Sequence, residues 1–345
     1  MKYRLFGKSG LRVSEVCLGT MTFGEDWGWG ASKEECKKIF ETYVEAGGNF
    51  IDTANFYTQG TSESIVGELI ASARQQYVLA TKYSLTMRSD DPNAGGNHRK
   101  NMIQSLEASL KRLNTDYVDI YWLHAWDFTT PVEEVIRALD DMVSAGKVLY
   151  IGISDTPVWI VSQANTLAAL RGWSAFIGLQ VEYSLIERAP ERDLLPMAES
   201  FGMSVTAWSP LGGGVLTGKY NFEEKEQAGS EGGRLSPSSG RFNDKNRLIV
   251  EELKQVASEL ECTPAQVALS WVRAQSSSII PIIGSRKVTQ FSDNIASLHY
   301  QLNEDQLARL HEASRIELGF PHDFLASRSV KDVLFGQKYD RIMRR

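Results

Sequence analysis

The chain of 345 residues contains little cysteine and little histidine. Its three cysteines, Cys17, Cys36 and Cys262, lie far apart, so they predict neither a disulfide framework nor a thiolate zinc site. We expect them to be free thiols in the interior. Of the five histidines only His124 ends a predicted strand, which leaves too few clustered ligands for a catalytic metal. The sequence therefore predicts a protein without a metal site.

Long apolar stretches and runs of one charge are also missing. No stretch of about 18 apolar residues occurs, and the first residues lack the charged start and apolar stretch of a secretory leader. We therefore expect a cytoplasmic protein that does not enter a membrane. The net charge of -6 is spread along the chain, which is not typical of a nucleic-acid-binding protein. The expected partner is a small molecule.

A third absence is the motif GxGxxG between a strand and a helix. The chain instead alternates short apolar runs with amphipathic segments eight times. This alternation predicts a single domain over residues 1–345, a closed (β/α)8 TIM barrel of the α/β class with an N-terminal β-hairpin and extra C-terminal helices. An open doubly wound sheet is the alternative, which the missing motif disfavours. The predicted strands are residues 16–20, 50–52, 77–82, 117–124, 148–154, 178–183, 204–210 and 279–284.

Capping residues mark several helices between these strands. Ser32 precedes one helical pattern, with Glu35 three positions later, and Gly47 ends it. Pro131 and Gly146 mark the start and end of another helix in the same way.

Three segments lie outside the βα repeat. Residues 221–243 are rich in glycine and serine and too long for a simple connection, so they predict a mobile lid. Residues 304–316 predict one more amphipathic helix beyond the last strand. The tail from 318 to 345 is then expected to fold over the mouth of the barrel.

Polar side chains end three successive predicted strands. Asp52 closes the second strand, Lys82 the third and His124 the fourth, and Tyr57 lies in the loop after Asp52. Because the carboxyl ends of barrel strands face the active site, these side chains should meet at one rim. An ammonium group paired with a carboxylate and placed beside a phenol lowers the pKa of that phenol. The set could polarise a carbonyl group and give it a proton, which leaves a hydride to be supplied.

Each of these four residues also has an ordinary structural explanation. The aspartate could cap a turn, the lysine could be a solvated charge, the tyrosine could cover a loop and the histidine could belong to the core. Their coincidence at neighbouring strand ends favours a catalytic site. A different chemistry, a Schiff base formed by Lys82 as in aldolase barrels, is a further alternative.

The order of motifs resembles the aldo-keto reductase family over essentially the whole chain. The matching stretches include FIDTANFYTQGTSE (50–63), ATK (80–82), YVDIYWLH (117–124) and WSPLGGGVLTGK (208–219). The resemblance points to the branch that contains aryl-alcohol dehydrogenases and channel-associated β subunits.

This resemblance implies a catalytic tetrad of Asp52, Tyr57, Lys82 and His124. Tyr57 would be the general acid, and Lys82 would lower its pKa. Asp52 would hold Lys82, and His124 would position the substrate oxygen.

The resemblance also implies a nicotinamide cofactor that lies across the barrel mouth. Backbone N–H groups of the glycine-rich segment, with Lys219, would bind the pyrophosphate. Ser154, Asp155 and Gln180 would hold the carboxamide, although the family commonly has Asn at the position of Asp155. Tyr183 would stack under the nicotinamide ring.

At the adenosine end, the resemblance favours NADPH over NADH. Arg286, with Ser285 and Lys287 beside it, would suit a 2'-phosphate, because that group needs cationic or planar donors. Asp293 stands where the family commonly has Glu. The implied cofactor-binding residues are Gly19, Thr20, Met21, Asp52, Ser154, Asp155, Gln180, Tyr183, Trp208, Ser209, Pro210, Leu211, Gly213, Gly218, Lys219, Arg234, Gly284, Ser285, Arg286, Gln290, Asp293 and Asn294.

Aromatic residues in loops at the same rim predict the substrate side. Trp27, Trp29, Tyr83 and Trp126 are expected to form a wall suited to bulky or ring-bearing carbonyl compounds. The predicted function is reversible, NADPH-dependent reduction of an aldehyde or ketone to an alcohol. The alternative is a cofactor-binding redox sensor or channel subunit of the same fold with little turnover.

Overall fold

The computed structural model describes residues 1–220, 222 and 239–343. The strands in this part of the chain are β1 (Tyr3–Leu5), β2 (Arg12–Ser14), β3 (Cys17–Gly19), β4 (Phe50–Asp52), β5 (Val78–Tyr83), β6 (Val118–Leu123), β7 (Val148–Ser154), β8 (Phe176–Glu182), β9 (Ser204–Trp208) and β10 (Ile279–Ile283). Its α-helices are α1 (Lys33–Glu45), α2 (Thr61–Ile70), α3 (Arg99–Leu113), α4 (Val132–Ser144), α5 (Val158–Arg171), α6 (Leu194–Phe201), α7 (Asp244–Glu259), α8 (Pro264–Gln275), α9 (Val288–Ala296), α10 (Glu304–Ala313), α11 (His322–Ala326) and α12 (Arg328–Phe335).

Strands β3 to β10 form a closed parallel barrel. Each strand pairs with the next one along the chain, and β10 pairs back with β3. Strands β1 and β2 form a separate antiparallel hairpin. The predicted (β/α)8 barrel with an N-terminal hairpin is confirmed, and the open doubly wound sheet is wrong. Each predicted strand agrees with a barrel strand to within about two residues at either end.

The hairpin closes the amino-terminal end of the barrel. Phe6, which directly follows β1, is fully buried and packs edge-on against Phe50 and Trp122, with ring centroids 5.5 and 6.3 Å away. The Arg4 guanidinium donates to the carbonyl of Ser277 at 2.9 Å, next to the start of β10. The carboxyl ends of the strands therefore remain available to form an open site.

Local sequence signals set the ends of the helices. The hydroxyl of Ser32 accepts a hydrogen bond from the backbone N–H of Glu35 and starts α1, and Gly47, with φ of 86°, lies just past its end. The Glu35 carboxylate accepts the N–H of Val288 at 2.6 Å, which ties α1 to α9. Pro131 and Gly146, which were predicted to mark the ends of a helix, flank α4.

The absences predicted from composition can be compared with the described residues. All three cysteines are free, with Cys17 and Cys36 buried and Cys262 half-buried. Among the described residues there is no group of three or more side chains that could hold a metal ion. In the same part of the chain, no helix has the length and apolar character needed to cross a membrane.

The predicted lid and the C-terminal tail lie outside the βα repeat. The predicted lid at 221–243 falls mostly outside the described residues, and Arg241 near its end pairs with Glu182 at 2.5 Å. None of the described residues of the tail lines the cavity at the mouth of the barrel. One polar contact of the tail is with the loop before α6, where His322 meets Asp193 at 3.1 Å.

Candidate active site

A cavity of about 790 Å³ opens at the carboxyl ends of the barrel strands. Its size is that of a ligand-binding pocket. All four members of the predicted tetrad are at this site: Asp52, Tyr57 and His124 line the cavity, and Lys82 lies directly beneath it. The barrel topology thus gathers four polar residues that are spread over 73 positions of sequence, from 52 to 124.

The Lys82 ammonium is the centre of the site. It is fully buried, forms an ion pair with Asp52, and donates to the carbonyl of Thr53 at 2.9 Å and to the hydroxyl of Tyr57 at 3.1 Å. Burial lowers the pKa of Lys82, but the neighbouring Asp52 carboxylate and Tyr57 outweigh burial, so the pKa lies above its ordinary value. A Schiff-base lysine needs a neutral amine, so this environment argues against the aldolase alternative.

The second oxygen of Asp52 is held by a residue that was expected to bind cofactor. The side-chain amide of Gln180, on β8, donates to Asp52 Oδ1 at 3.1 Å. Lys82 and Gln180 therefore fix both oxygens of the carboxylate. Sequence reasoning missed this contact because β4 and β8 are far apart in the sequence and meet only across the barrel interior.

Tyr57 is held in place by an unusual turn. The residues that follow it, Thr58 and Gln59, have positive φ angles of 45° and 55°. The Thr58 hydroxyl donates to the carbonyl of Phe23 at 2.7 Å, which fixes the turn against the loop after β3. The ring of Tyr57 stands edge-on to the ring of His124, with centroids 5.9 Å apart.

The pKa of Tyr57 is raised above its usual value of 10. Burial is the largest cause; the Lys82 ammonium lowers the pKa, but by less than burial raises it. The expected net lowering of this pKa is therefore wrong. Tyr57 keeps its proton at neutral pH, which a proton donor requires.

His124 is neutral under the same conditions. Burial and the nearby Lys82 charge lower its pKa to about 3. Its backbone N–H donates to the carbonyl of Tyr83 at 3.0 Å, while its Nδ1 atom is buried without a hydrogen-bond partner among the described residues. A neutral imidazole can orient an uncharged oxygen without competing for its proton.

Most residues implied for the cofactor line this cavity. Thr20 and Gly218 do not: Thr20 is buried and donates to the Asp52 carbonyl, and Gly218 ends a short turn with φ of 72°. Arg234 falls outside the described residues. The members that line the cavity are Gly19, Met21, Asp52, Ser154, Asp155, Gln180, Trp208, Ser209, Pro210, Leu211, Gly213, Lys219, Gly284, Ser285, Arg286, Gln290, Asp293 and Asn294.

Tyr183 cannot stack on a ligand in this cavity, so that expectation is wrong. It is 1% exposed, its hydroxyl donates to Glu191 at 2.8 Å, and its ring packs against Trp271. It follows Glu182 at the end of β8 and points outwards, because successive side chains of a strand alternate between its faces. Trp208, at the end of β9, is the aromatic residue on the cavity wall.

Asp155 and Trp208 form a pair on this wall. The carboxylate of Asp155 accepts the indole N–H of Trp208 at 3.1 Å. Asp155 has φ of 41°, a left-handed conformation that Asp and Asn tolerate better than most residues. Burial raises the pKa of Asp155, against the opposing effects of the Trp208 hydrogen bond and the Lys82 charge.

Of the four aromatic residues predicted for the substrate side, only Trp27 lines the cavity. The ring of Trp29 packs against the ring of Trp27, and their centroids are 5.4 Å apart. Tyr83 is fully buried and stacks on Tyr121, so it faces the helix layer, and Trp126 is half-buried against the core. The expectation is wrong for Tyr83, which is the last residue of β5 and points away from the barrel axis.

Sequence reasoning missed several residues of the cavity wall. Among them, Thr263 caps α8 and donates to Asp293 at 3.0 Å, so the start of α8 meets the predicted adenosine end. The sequence TPAQ signals the helix start, but nothing in it indicates the cavity. The missed lining residues outside the glycine-rich segment are Thr22, Phe56, Leu85, Tyr220, Thr263, Pro264, Ala265, Leu269, Ile282 and Ile283.

The cavity wall fits a nicotinamide dinucleotide. Ser154 Oγ is buried on the wall without a partner among the described residues, as is His124 Nδ1. Lys219 and Arg286 line the cavity, and neither forms an ion pair within the described part of the chain. Unpaired polar atoms suit a carboxamide and a carbonyl group, and unneutralised cations suit phosphates.

Comparison with known proteins identifies the class to which this barrel belongs. The family described as the Aldo/keto reductase family matches residues 15–315. The chain is 40% identical to norsolorinic acid reductase of Aspergillus flavus over 333 residues, which cover 93% of this chain and 83% of the relative. It is 36% identical to aryl-alcohol dehydrogenase [NADP(+)] of Phanerodontia chrysosporium over 329 residues, covering 91% and 86%.

A putative aryl-alcohol dehydrogenase of Saccharomyces cerevisiae is 35% identical over 338 residues, covering 94% of this chain and 89% of the relative. The chain belongs to the aldo/keto reductase family, as its motifs predicted. Membership and the names of these relatives support an oxidoreductase that acts on carbonyl compounds.

Proposed function

We propose that the protein reduces an aldehyde or ketone to an alcohol with NADPH, and that Tyr57 donates the proton. One observation carries the proposal: the buried Lys82 ammonium bridges the Asp52 carboxylate and the Tyr57 hydroxyl at the wall of the cavity. The names of the relatives as a reductase and as dehydrogenases support the same reaction.

In this proposal a reduced nicotinamide, when bound, supplies the hydride. The Tyr57 hydroxyl gives its proton to the carbonyl oxygen as negative charge develops there. Lys82 stabilises the phenolate that remains, and Asp52 balances the lysine charge. His124, which is neutral, holds the carbonyl oxygen towards Tyr57. The same groups can run the reverse reaction, the oxidation of an alcohol.

The residues proposed to hold NADPH lie on different parts of the wall. Ser154 and Asp155 would bind the carboxamide, and Lys219 would neutralise the pyrophosphate. Arg286, a cavity residue next to Ser285, would bind the 2'-phosphate and so select NADPH over NADH. One relative is named for NADP(+), which agrees with this choice.

We propose aromatic carbonyl compounds as the substrate class. Trp27 and Phe56 line the cavity near Tyr57, and their ring centroids are 5.8 Å apart. Flat apolar rings bind well against a wall formed by such side chains. Two of the relatives carry "aryl-alcohol dehydrogenase" in their names.

A steady-state assay tests the proposal. NADPH oxidation should accompany reduction of aryl aldehydes at a higher kcat/KM than that of aliphatic aldehydes of similar size. Tight NADPH binding without turnover on any member of a broad carbonyl panel would contradict the reductase and favour the redox-sensing alternative.

A further inference from the structure

The C-terminal tail, residues 318–343, exposes a large apolar surface. Nine of the 18 exposed large apolar side chains among the described residues belong to it. Phe320, Val333 and Met343 are 85, 84 and 97% exposed, and none of the tail residues is buried. At about 100 Å² for each side chain, the tail would expose on the order of 900 Å² of apolar surface in total, and a typical monomer leaves about 300–600 Å² in its largest patch.

The tail is ordered by contacts within itself and at its start. Helices α11 and α12 pack on each other, and Arg328 pairs with Asp340 at 2.6 Å. Among the described residues, the polar contacts with the barrel include those of His322 with Asp193 and of the Arg192 guanidinium with the Glu317 carbonyl just before the tail. The apolar side chains are therefore held in a defined arrangement that the described part of the chain leaves uncovered.

Charge indicates what covers this surface. Residues 318–345 contain six Lys and Arg against three Asp, whereas residues 1–317 contain 31 Lys and Arg against 40 Asp and Glu. A basic, apolar tail is complementary to the acidic barrel of a second copy of the chain. An anionic membrane is disfavoured, because helices of five and eight residues offer little surface for insertion.

We propose that the tail packs against the barrel of a second copy, so that the protein is a two-fold symmetric dimer. In such a dimer each tail covers the partner's barrel and the contact occurs twice. The apolar area estimated above reaches the roughly 800 Å² per partner of a stable interface. Because no described tail residue lines the cavity, the dimer contact is separate from the catalytic site.

The test compares three full-length proteins by size-exclusion chromatography with light scattering. The wild type should have twice the monomer mass of 38.5 kDa. The double variant Phe324→Glu, Val333→Glu should be monomeric, because two carboxylates replace exposed apolar contacts. The control Leu248→Glu, at an apolar residue of α7 that is also about half exposed, should remain dimeric. All three should keep the same NADPH affinity, since none of these side chains is buried or lines the cavity.

A wild type that stays monomeric at about 100 μM, well above the Kd of a stable dimer, would overturn the proposal. So would a double variant that stays dimeric. Flotation of the wild type with vesicles of anionic phospholipid, lost in the double variant, would assign the surface to a membrane instead.

Discussion

The ammonium group of Lys82 connects the polar residues at the barrel mouth. It contacts Asp52, the Thr53 carbonyl and Tyr57. Lys82 and Asp52, the two members of the ion pair, are almost completely buried. Removing one member of a buried ion pair leaves an uncompensated charge and costs about 3–5 kcal/mol. Substitutions of Lys82 or Asp52 therefore mix stability with chemistry, whereas Tyr57 can be changed without leaving a buried charge.

The pKa values at the site predict a flat pH profile around neutrality. The pKa of His124 is lowered to about 3, so it stays neutral above that pH, and the pKa of Tyr57 is raised above 10. Because the proton donor must be protonated, reduction is lost only as the pH rises through the Tyr57 pKa. We expect kcat for carbonyl reduction to vary by less than about twofold between about pH 5 and about pH 8.

Steady-state rates across this range check the expectation. A limb near pH 6.5, the ordinary pKa of histidine, that disappears in His124→Asn would contradict it.

Asp155 should make the site distinguish the oxidised from the reduced cofactor. Its carboxylate lies on the wall that the hydride donor must approach, and the oxidised nicotinamide ring carries a positive charge that the reduced ring lacks. The substitution Asp155→Asn removes the charge but keeps an oxygen that can accept the Trp208 N–H. We expect the affinity for NADP+ to fall at least about threefold relative to that for NADPH.

Fluorescence titration of both cofactors gives the two Kd values directly. An equal change in the Kd values of NADP+ and NADPH would show that the charge of Asp155 does not distinguish the two cofactors. Failure of the wild type to bind either cofactor would contradict the proposed function as a whole.

At the scale of single elements, the strands were predictable because each is a compact apolar run that is buried on both faces. The orientation of the side chains at the strand ends was not. Tyr183 and Tyr83 were both expected at the cavity and both point outwards, since one position of shift exchanges the two faces of a strand. Contacts across the barrel, such as Gln180 with Asp52, depend on closure and leave no local signal.

Strand β7 provides a test of the packing inside the barrel. A Cβ atom on Gly152 would lie 2.3 Å from ring atoms of Trp122, a distance that the buried indole cannot accommodate without moving. Gly152→Ala should lower the free energy of unfolding by about 1–3 kcal/mol. Gly10→Ala is the control, because a Cβ atom on Gly10 would have no other atom within 4 Å, so stability should change by less than about 0.5 kcal/mol.

Urea denaturation measures both variants. Equal midpoints for Gly152→Ala and the wild type would mean that the barrel interior has room beside Trp122.

At the scale of the whole molecule, cofactor binding should stabilise the fold and report the cofactor preference. A ligand that binds only the folded state raises the melting temperature according to its affinity. NADPH should therefore raise it more than NADH does, and Arg286→Ala should remove most of that difference by losing a cation next to the 2'-phosphate. Lys287→Ala is the control, since Lys287 carries the same charge next in sequence but does not line the cavity.

Thermal unfolding with each cofactor provides the comparison. If Arg286→Ala reduces the rise in melting temperature equally for NADPH and for NADH, Arg286 does not recognise the 2'-phosphate.

The family and the barrel could both be read from motifs that occur in order along nearly the whole chain. The direction of the Tyr57 pKa shift could not be predicted from the sequence. It depends on whether the effect of burial on this pKa is larger than the effect of the Lys82 charge, and burial is a property of the folded barrel. The position of the tail could not be predicted either. Its sequence shows apolar residues, but it does not show which surface they contact.

The central claim is that Tyr57 donates the proton and does little else. Tyr57→Phe removes only the hydroxyl that Lys82 contacts at 3.1 Å, and it leaves the ring beside His124. The direct measurement is kcat for NADPH-dependent reduction of an aryl aldehyde together with the Kd of NADPH, for this variant and the wild type. We predict a fall in kcat of at least about 100-fold with the Kd unchanged within about twofold. A kcat close to that of the wild type would contradict the account.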